Sequence, residues 1–200
     1  MPKQAHLPTL LRLFRQFGYE GVTLSKISQE TGLKKASLYH HFPGGKAEMA
    51  EAALMSVNQW LETSILRQLS DATPQIEAGG LSPIDVFQEM CEETSHFFRQ
   101  GENACLWAVM VMEQSSHELF HAQINWAFTQ WVAAIANVLI AAGLDVTLAK
   151  QRGEDAMIAI QGALILSHGL NDFSSFQRVI KQLPSQLCQA AVYEIQEKDC

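Results

Sequence analysis

The sequence predicts an all-α protein, an N-terminal three-helix unit followed by a larger helical body. Three observations carry this. Apolar residues recur at spacings of three and four along most of the chain, and no stretch alternates apolar and polar residues as a half-buried strand does. Glycine, proline and capping residues punctuate those stretches at helix-length intervals: Thr23, Gly32, Pro43-Gly44-Gly45, Ser82-Pro83, Gly143 and Asn171. Apolar residues make up 48% of 200 residues, enough for a sizeable core, and nothing is repeated or low-complexity.

Taken in order, the first helix covers about Pro8–Phe17, with Leu10, Leu11, Leu13, Phe14 and Phe17 on one stripe. Thr23 caps the second, because its hydroxyl can accept an orphan amide at the helix start. Leu24 and Ile27 face inward there, and Gly32 makes the turn that positive φ requires. Leu33 plugs the space between the second and third helices. The third helix ends at Pro43-Gly44-Gly45 and leaves Lys34, Lys35, Ser37, Tyr39 and His40 outward. A pair of short helices around a tight turn, the second polar and basic at its start, is a helix-turn-helix that can enter a DNA major groove. The fourth helix covers about Lys46–Leu69, and Asp71–Leu81, with Pro74, Gly79 and Gly80, reads as a loop. Ser82-Pro83 starts a helix that ends near Gly101. A short helix follows at about Cys105–Met112, then long ones at Ser116–Ala142 and Thr147–Leu170. A short helix comes after Asn171-Asp172, and a last one starts at Pro184.

Charge divides along the same line. The net charge is −7, yet residues 1–50 hold seven Lys/Arg against three acids, and the remainder holds seven against eighteen. A basic end on an acidic body suits one end that meets a polyanion and a body that a polyanion avoids. The four cysteines, Cys91, Cys105, Cys188 and Cys200, are scattered without metal-ligand spacing, and Met1-Pro2-Lys3-Gln4 leads into an amphipathic helix rather than a secretory leader. A reduced, cytoplasmic protein is expected.

The run from Leu10 to Leu54, about a quarter of the chain, resembles the DNA-binding domain of the tetracycline-repressor (TetR) family. The matching pieces are Phe14-Arg15-Gln16-Phe17-Gly18-Tyr19-Glu20-Gly21-Val22-Thr23, Ile27-Ser28-Gln29-Glu30-Thr31-Gly32-Leu33, Ser37-Leu38-Tyr39-His40-His41-Phe42 and Lys46. The Phe42-Pro43-Gly44-Gly45-Lys46 spelling is similar to a subgroup that includes repressors of multidrug-efflux genes. One departure is Lys34, which stands where the family usually places a Ser or Thr cap. The resemblance implies a helix-turn-helix domain over residues 1–48 and a ligand-binding and dimerisation domain over 49–200. It implies a homodimer formed by a four-helix bundle of the last long helices, presenting two recognition helices to a pseudo-palindromic double-stranded operator. Thr23, Lys34, Lys35, Ser37, Tyr39, His40 and Lys46 are the expected DNA contacts, Lys46 holding a phosphate at a helix start, while His41 packs.

Trp126–Ala142 and Ala156–Leu170 are apolar nearly all round, shorter than a membrane span, and interrupted by Gln130, Asn137, Gln161 and His168. Such a helix must be covered on every face, and a second copy is the simplest cover. Ile160, Leu164 and His168 are expected at that interface, with the segment Pro184–Gln196 beside them; Gly162 and Gly169 would permit close approach. Met90, Phe97, Leu106, Trp107, Met110, Met112, Trp126, Trp131 and Met157 are ordinary core by spacing. The family resemblance turns part of this set toward an effector cavity. Met90, Phe97, Trp107, Met110, Trp126, Gln130 and Trp131 are the expected ligand contacts, with Gln130, Asn125 or Gln161 orienting the ligand. A lipophilic or aromatic effector is implied, and the acidic body favours a neutral or cationic one.

Glu113, His117 and His121 fall four apart, a spacing metal ligands can use, but Glu113-Gln114-Ser115-Ser116 reads as a helix boundary and a solvated face is expected instead. No nucleophile elbow or phosphate loop appears, so an enzyme is not expected, nor a cofactor. The alternatives are a DNA-binding protein with no effector, and a helical-bundle metalloenzyme built on Glu113, His117 and His121.

Overall fold

The computed structural model describes residues 3–189, and every regular element among them is helical. A single tight turn over Lys3–His6 leads into α1 (Leu7–Gly21). Then follow α2 (Leu24–Thr31), α3 (Lys35–His41), α4 (Gly45–Trp60), α5 (Arg67–Glu77), α6 (Pro83–Phe97), α7 (Leu106–Val111), α8 (Gln114–Ala141), α9 (Val146–Leu170) and α10 (Ser174–Cys188).

Three short helices close around Leu10, Leu13, Phe14, Ile27 and Leu38, all fully buried, and α4 completes that cluster with Met49 and Ala50. The predicted end of the first helix at Phe17 is real: Gly18 breaks the helical path with φ 67° and ψ 179°, a conformation glycine alone adopts readily. In the body α8 lies against α9, α5 and α7, while α10 packs on α6 and α9. At one point α8 and α9 nearly touch backbone to backbone. A Cβ on Gly153 would stand 2.7 Å from the Val132 carbonyl oxygen, so only glycine permits this crossing.

Two expectations about proline fail for one reason. Asp71–Leu81 is not a loop throughout. The wide turn Leu61–Leu66 joins α4 to α5 without leaving helical backbone, and α5 runs on through Pro74 to Glu77. Leu69, Ala72 and Ile76 are buried at helical spacing, and that packing outweighs the hydrogen bond proline cannot donate. Likewise Pro184 does not start a last helix. It is buried inside α10, whose Phe176, Ile180, Leu183 and Leu187 form one continuous stripe. Residues 190–196 of the expected interface segment lie outside the described residues. The expected end near Gly101 is also earlier: α6 stops at Phe97, and Arg99, Gln100 and Gly101 then take positive φ in succession.

Candidate nucleic-acid interface and interior aromatic cluster

The helix-turn-helix is assembled locally. Thr23 Oγ1 accepts from the Lys26 amide at 3.2 Å, and Gly32 turns the chain at φ 70°. Lys34 occupies the cap position of α3 with extended backbone and no capping side chain. Ile27 and Leu38 anchor the pair inward. Lys34, Lys35 and His40 are left exposed, with Tyr39 48% exposed and Ser37 half-buried. Tyr39 is braced from behind: a Cβ on Gly45 would lie 3.3 Å from its Cε1, and Gly45 has φ 65°. Lys46 is placed otherwise than expected. Its ammonium donates to the Tyr19 carbonyl at 2.9 Å and sits 4.3 Å from the Tyr19 ring, so it ties α4 to the end of α1 instead of standing free for a phosphate. His41 packs edge-on against His40 and near His6, as expected of the inward member of that pair.

A reciprocal pair of carboxylates joins this unit to the body. Glu113, just before α8, accepts from the Tyr19 amide at 2.7 Å and the Glu20 amide at 3.3 Å. Glu20 in turn accepts from the Ser115 hydroxyl at 2.7 Å and the Ser115 amide at 3.1 Å. Those two bonds from Ser115 hold the Glu20 carboxyl below its ordinary pKa. The break at Gly18 makes the clasp possible, because it turns the Tyr19 and Glu20 amides outward and leaves room for Glu113. Among the described residues no group of acids, histidines and cysteines is arranged to hold a metal ion. His117 and His121 stack edge-on, 4.6 Å apart, while Glu113 is committed to the clasp.

Of the expected ligand contacts, Met90, Trp107, Met110 and Trp131 are fully buried and Phe97 is half-buried, all toward the interior. Trp126 and Gln130 are not with them. Ile124, Ala127, Trp131, Ile135 and Val138 set the inner face of α8, which turns Trp126 (37% exposed) and Gln130 outward. Gln130 lines an open groove of about 620 Å³ between α5 and α8, beside Ser70, Thr73, Glu77 and Asn137. Asn125 is exposed as well.

Several members of the interior cluster are invisible in the sequence pattern. Trp60, the last residue of α4, stacks on Phe97 with ring centroids 3.6 Å apart and meets Trp131 edge-on at 5.9 Å. Trp107 meets Trp131 at 6.2 Å. Trp60 and Trp107 satisfy their indole N–H groups, on Glu93 Oε1 at 2.9 Å and Asn58 Oδ1 at 2.7 Å. Trp131 does not: its Nε1 is buried with no partner among the described residues. The amide of Gln161 and the Nε and one Nη of Arg15 are buried and unpartnered in the same way. Arg15 reaches in from α1, its guanidinium 4.7 Å from the Phe97 ring centre. Burial pulls its pKa down to about 10, against an opposing contribution from the neighbouring Cys105. Gln161 approaches the same Cys105 thiol, with geometry too poor to satisfy its amide. The one sequence signal for Arg15 is its place four residues after Leu11, which itself packs against the core.

The expected dimer contacts divide. Ile160 and Leu164 are 0% and 2% exposed within one protomer, so they have no surface left to bury against a partner. They belong to the inner face of α9. The outer face carries Ile158, Ile165, Leu166 and Leu170, with Gly162 and Gly169 open between them; His168 is exposed beside Phe173. α8 is 28 residues long and apolar enough to cross a bilayer, longer than the stretch read from the sequence. Its inner face is instead packed into the body, and Asn125, Gln130 and Asn137 interrupt its outer one.

With this geometry the comparisons agree. Residues 8–53 match the family of bacterial regulatory proteins called tetR, and residues 83–182 match the C-terminal domain of LmrA/YxaF-like transcriptional regulators. The HTH-type transcriptional regulator YxaF of Bacillus subtilis is 26% identical over 181 residues, covering 89% of this chain and 91% of that protein. The HTH-type transcriptional regulator LmrA of the same organism is 27% identical, covering 80% and 83%. A TetR transcriptional regulator from Legionella pneumophila shares the fold, with TM-score 0.76 at 19% identity, over 92% of this chain and 96% of that one.

Proposed function

This chain belongs to the TetR family of transcriptional regulators, and from that membership we propose a homodimeric, cytoplasmic repressor that a small lipophilic or aromatic molecule releases from a pseudo-palindromic operator. Residues 1–48 read the DNA and residues 49–200 bind the effector and the second copy. The observation that carries the DNA reading is α3: its buried Leu38 fixes it on the domain while Lys34, Lys35, Tyr39 and His40 face out together. Those side chains and Ser37 meet base edges and phosphates, and Thr23 sets the start of α2 behind them.

The outer stripe of α9 supports the dimer. Ile158, Ile165, Leu166 and Leu170 form an apolar row that the described residues of one protomer leave exposed. Trp60, Phe97 and Trp131 support an effector that is aromatic or lipophilic. Release follows as a population shift: the effector favours a dimer whose two α3 helices no longer match successive major grooves. The continuous α4–α5 rod is the lever, since it begins beside α3 and packs along the body through Leu69, Ala72 and Ile76. The commitment of Glu113 to the clasp argues for a regulator over a helical-bundle metalloenzyme.

The test is selection of an operator from random duplexes, followed by Tyr39→Ala. The variant dimer, folded by circular dichroism, should bind the selected duplex more weakly by roughly 1–3 kcal/mol. Wild-type affinity in a folded Tyr39→Ala dimer would refute the placement of α3 in the groove.

A further inference from the structure

The interior cluster holds a charge without a counter-charge. Arg15 stays protonated at neutral pH, since burial lowers it only to about 10. Its Nε and one Nη are sealed from solvent, and no carboxylate of the described residues pairs with it; its neighbour is the flat face of Phe97. Arg15 as a whole is half-buried, but a cation whose sealed nitrogens lack an anion is unfavourable at the edge of a core. Two further donors in this cluster are idle, the Trp131 indole N–H and the Gln161 amide. They are linked to Arg15 through a chain of shared neighbours. Arg15 and Gln161 both lie beside Cys105, and Arg15 and Trp131 are joined through Phe97 and Trp60. Three sets of N–H donors, one of them cationic, beside stacked aromatic faces form the complement of an organic acid.

We propose that the effector is a small aromatic or aliphatic carboxylate, its head group held by Arg15 with Trp131 Nε1 and Gln161, its apolar part against Trp60 and Phe97. This rests on the reading of the protein as an effector-released repressor and narrows it. It also reverses the preference for neutral or cationic effectors drawn from the acidic body: a local unpaired guanidinium outweighs a diffuse field that solvent screens. The arrangement puts the sensing residue inside the DNA-binding unit itself. Arg15 sits on α1, three residues before the break at Gly18, so an anion that draws the guanidinium inward acts on α1 directly.

The experiment uses the full chain, with benzoate and octanoate set against benzamide and octanamide. Binding is followed by tryptophan fluorescence and release by the selected operator duplex. The acids are expected to bind at least about tenfold more tightly than the amides and to release the duplex. Arg15→Met should lose that preference, keep operator binding and melt no lower than wild type, because it removes an unpaired buried charge. Equal binding of acids and amides, or an acid preference that survives in Arg15→Met, overturns the proposal. So does a lowered melting point, which would mean that the guanidinium already has a partner. Where Arg15→Met does not fold, Trp131→Phe takes its place, removing the idle N–H alone. Acid affinity should fall by about threefold or more relative to the amide, the scale of one hydrogen bond, and an unchanged ratio overturns the assignment. Release by the amides but not by the acids leaves the repressor reading standing and removes Arg15 from it. Arg15-dependent acid binding that leaves the operator bound supports the site and removes release instead.

Discussion

Gly18→Ala tests whether the two parts of the molecule are joined as described. The new Cβ would lie 2.0 Å from Glu113 Oε1 and 2.6 Å from its Cδ, so the carboxylate must leave. Independently, φ 67° with ψ 179° is a backbone state that costs a residue other than glycine of order 1–3 kcal/mol. Leaving also breaks the 2.7 Å bond from the Tyr19 amide, and a hydrogen bond to a charged group contributes roughly 1.5–3 kcal/mol. The longer bond from Glu20 adds little. Together the loss is about 2.5–6 kcal/mol, which for a chain of this size lowers the melting temperature by about 5–24 °C. The assay is a thermal melt at fixed protomer concentration, since a dimer's melting point depends on it. Glu113→Ala alone should lose about 1.5–3 kcal/mol. The double variant should lose less than the sum of the two, because once the carboxylate is gone alanine at position 18 carries backbone strain alone. A Gly18→Ala protein that melts within about 2 °C of wild type would refute the clasp, as would strict additivity.

Two further outcomes follow from the same contacts. Ile165→Glu, on the uncovered face of α9, should raise the dimer dissociation constant by at least about tenfold while each protomer stays folded, whereas Leu164→Glu buries a charge and should unfold the protomer; sedimentation with circular dichroism separates the two, and an intact dimer for Ile165→Glu removes that face from the interface. Glu20, whose folded pKa lies below its ordinary value, stabilises the clasp above that value and loses the contribution as pH falls through the folded one. Ser115→Ala should therefore melt below wild type at neutral pH, with the gap closing below about pH 4, and a gap constant over the whole range would contradict the assignment.

The helix-turn-helix was legible because its determinants are local. Thr23, Gly32 and the Pro43-Gly44-Gly45 stop act within a turn or two of themselves, and Ile27 and Leu38 announce their burial by spacing. What depends on tertiary packing was not. Pro74 and Pro184 look like breaks unless one knows how much apolar surface their helices bury. In α9 nearly every position is apolar, so periodicity gives no phase, and Ile160 and Ile165 are indistinguishable until α8 and α10 are in place. Trp126 and Trp131 differ for the same reason. Arg15 read as one more positive charge of a basic domain, and Glu113 as a possible metal ligand; what each does shows only across the domain junction, where Arg15 meets the Phe97 ring and Glu113 the Tyr19 amide.

The crossing at Gly153 bears on which parts of the body can move. With the Val132 carbonyl almost against the α9 backbone, α8 and α9 have no room to slide or tilt past one another, and any side chain at 153 would wedge them apart. They form a rigid keel, and its outer stripe is the surface proposed above for the second copy. Displacement then falls to the elements hung on that keel: the α4–α5 rod and α6, which meet across the stacked rings of Trp60 and Phe97. In the proposed dimer two such keels docked together would act as a fixed fulcrum, and a small rotation of each rod would be carried outward to the far ends, where the two α3 helices stand. On the proposed function, a substitution at Gly153 would therefore be felt not as a weaker core alone but as a change in the distance between two points on DNA.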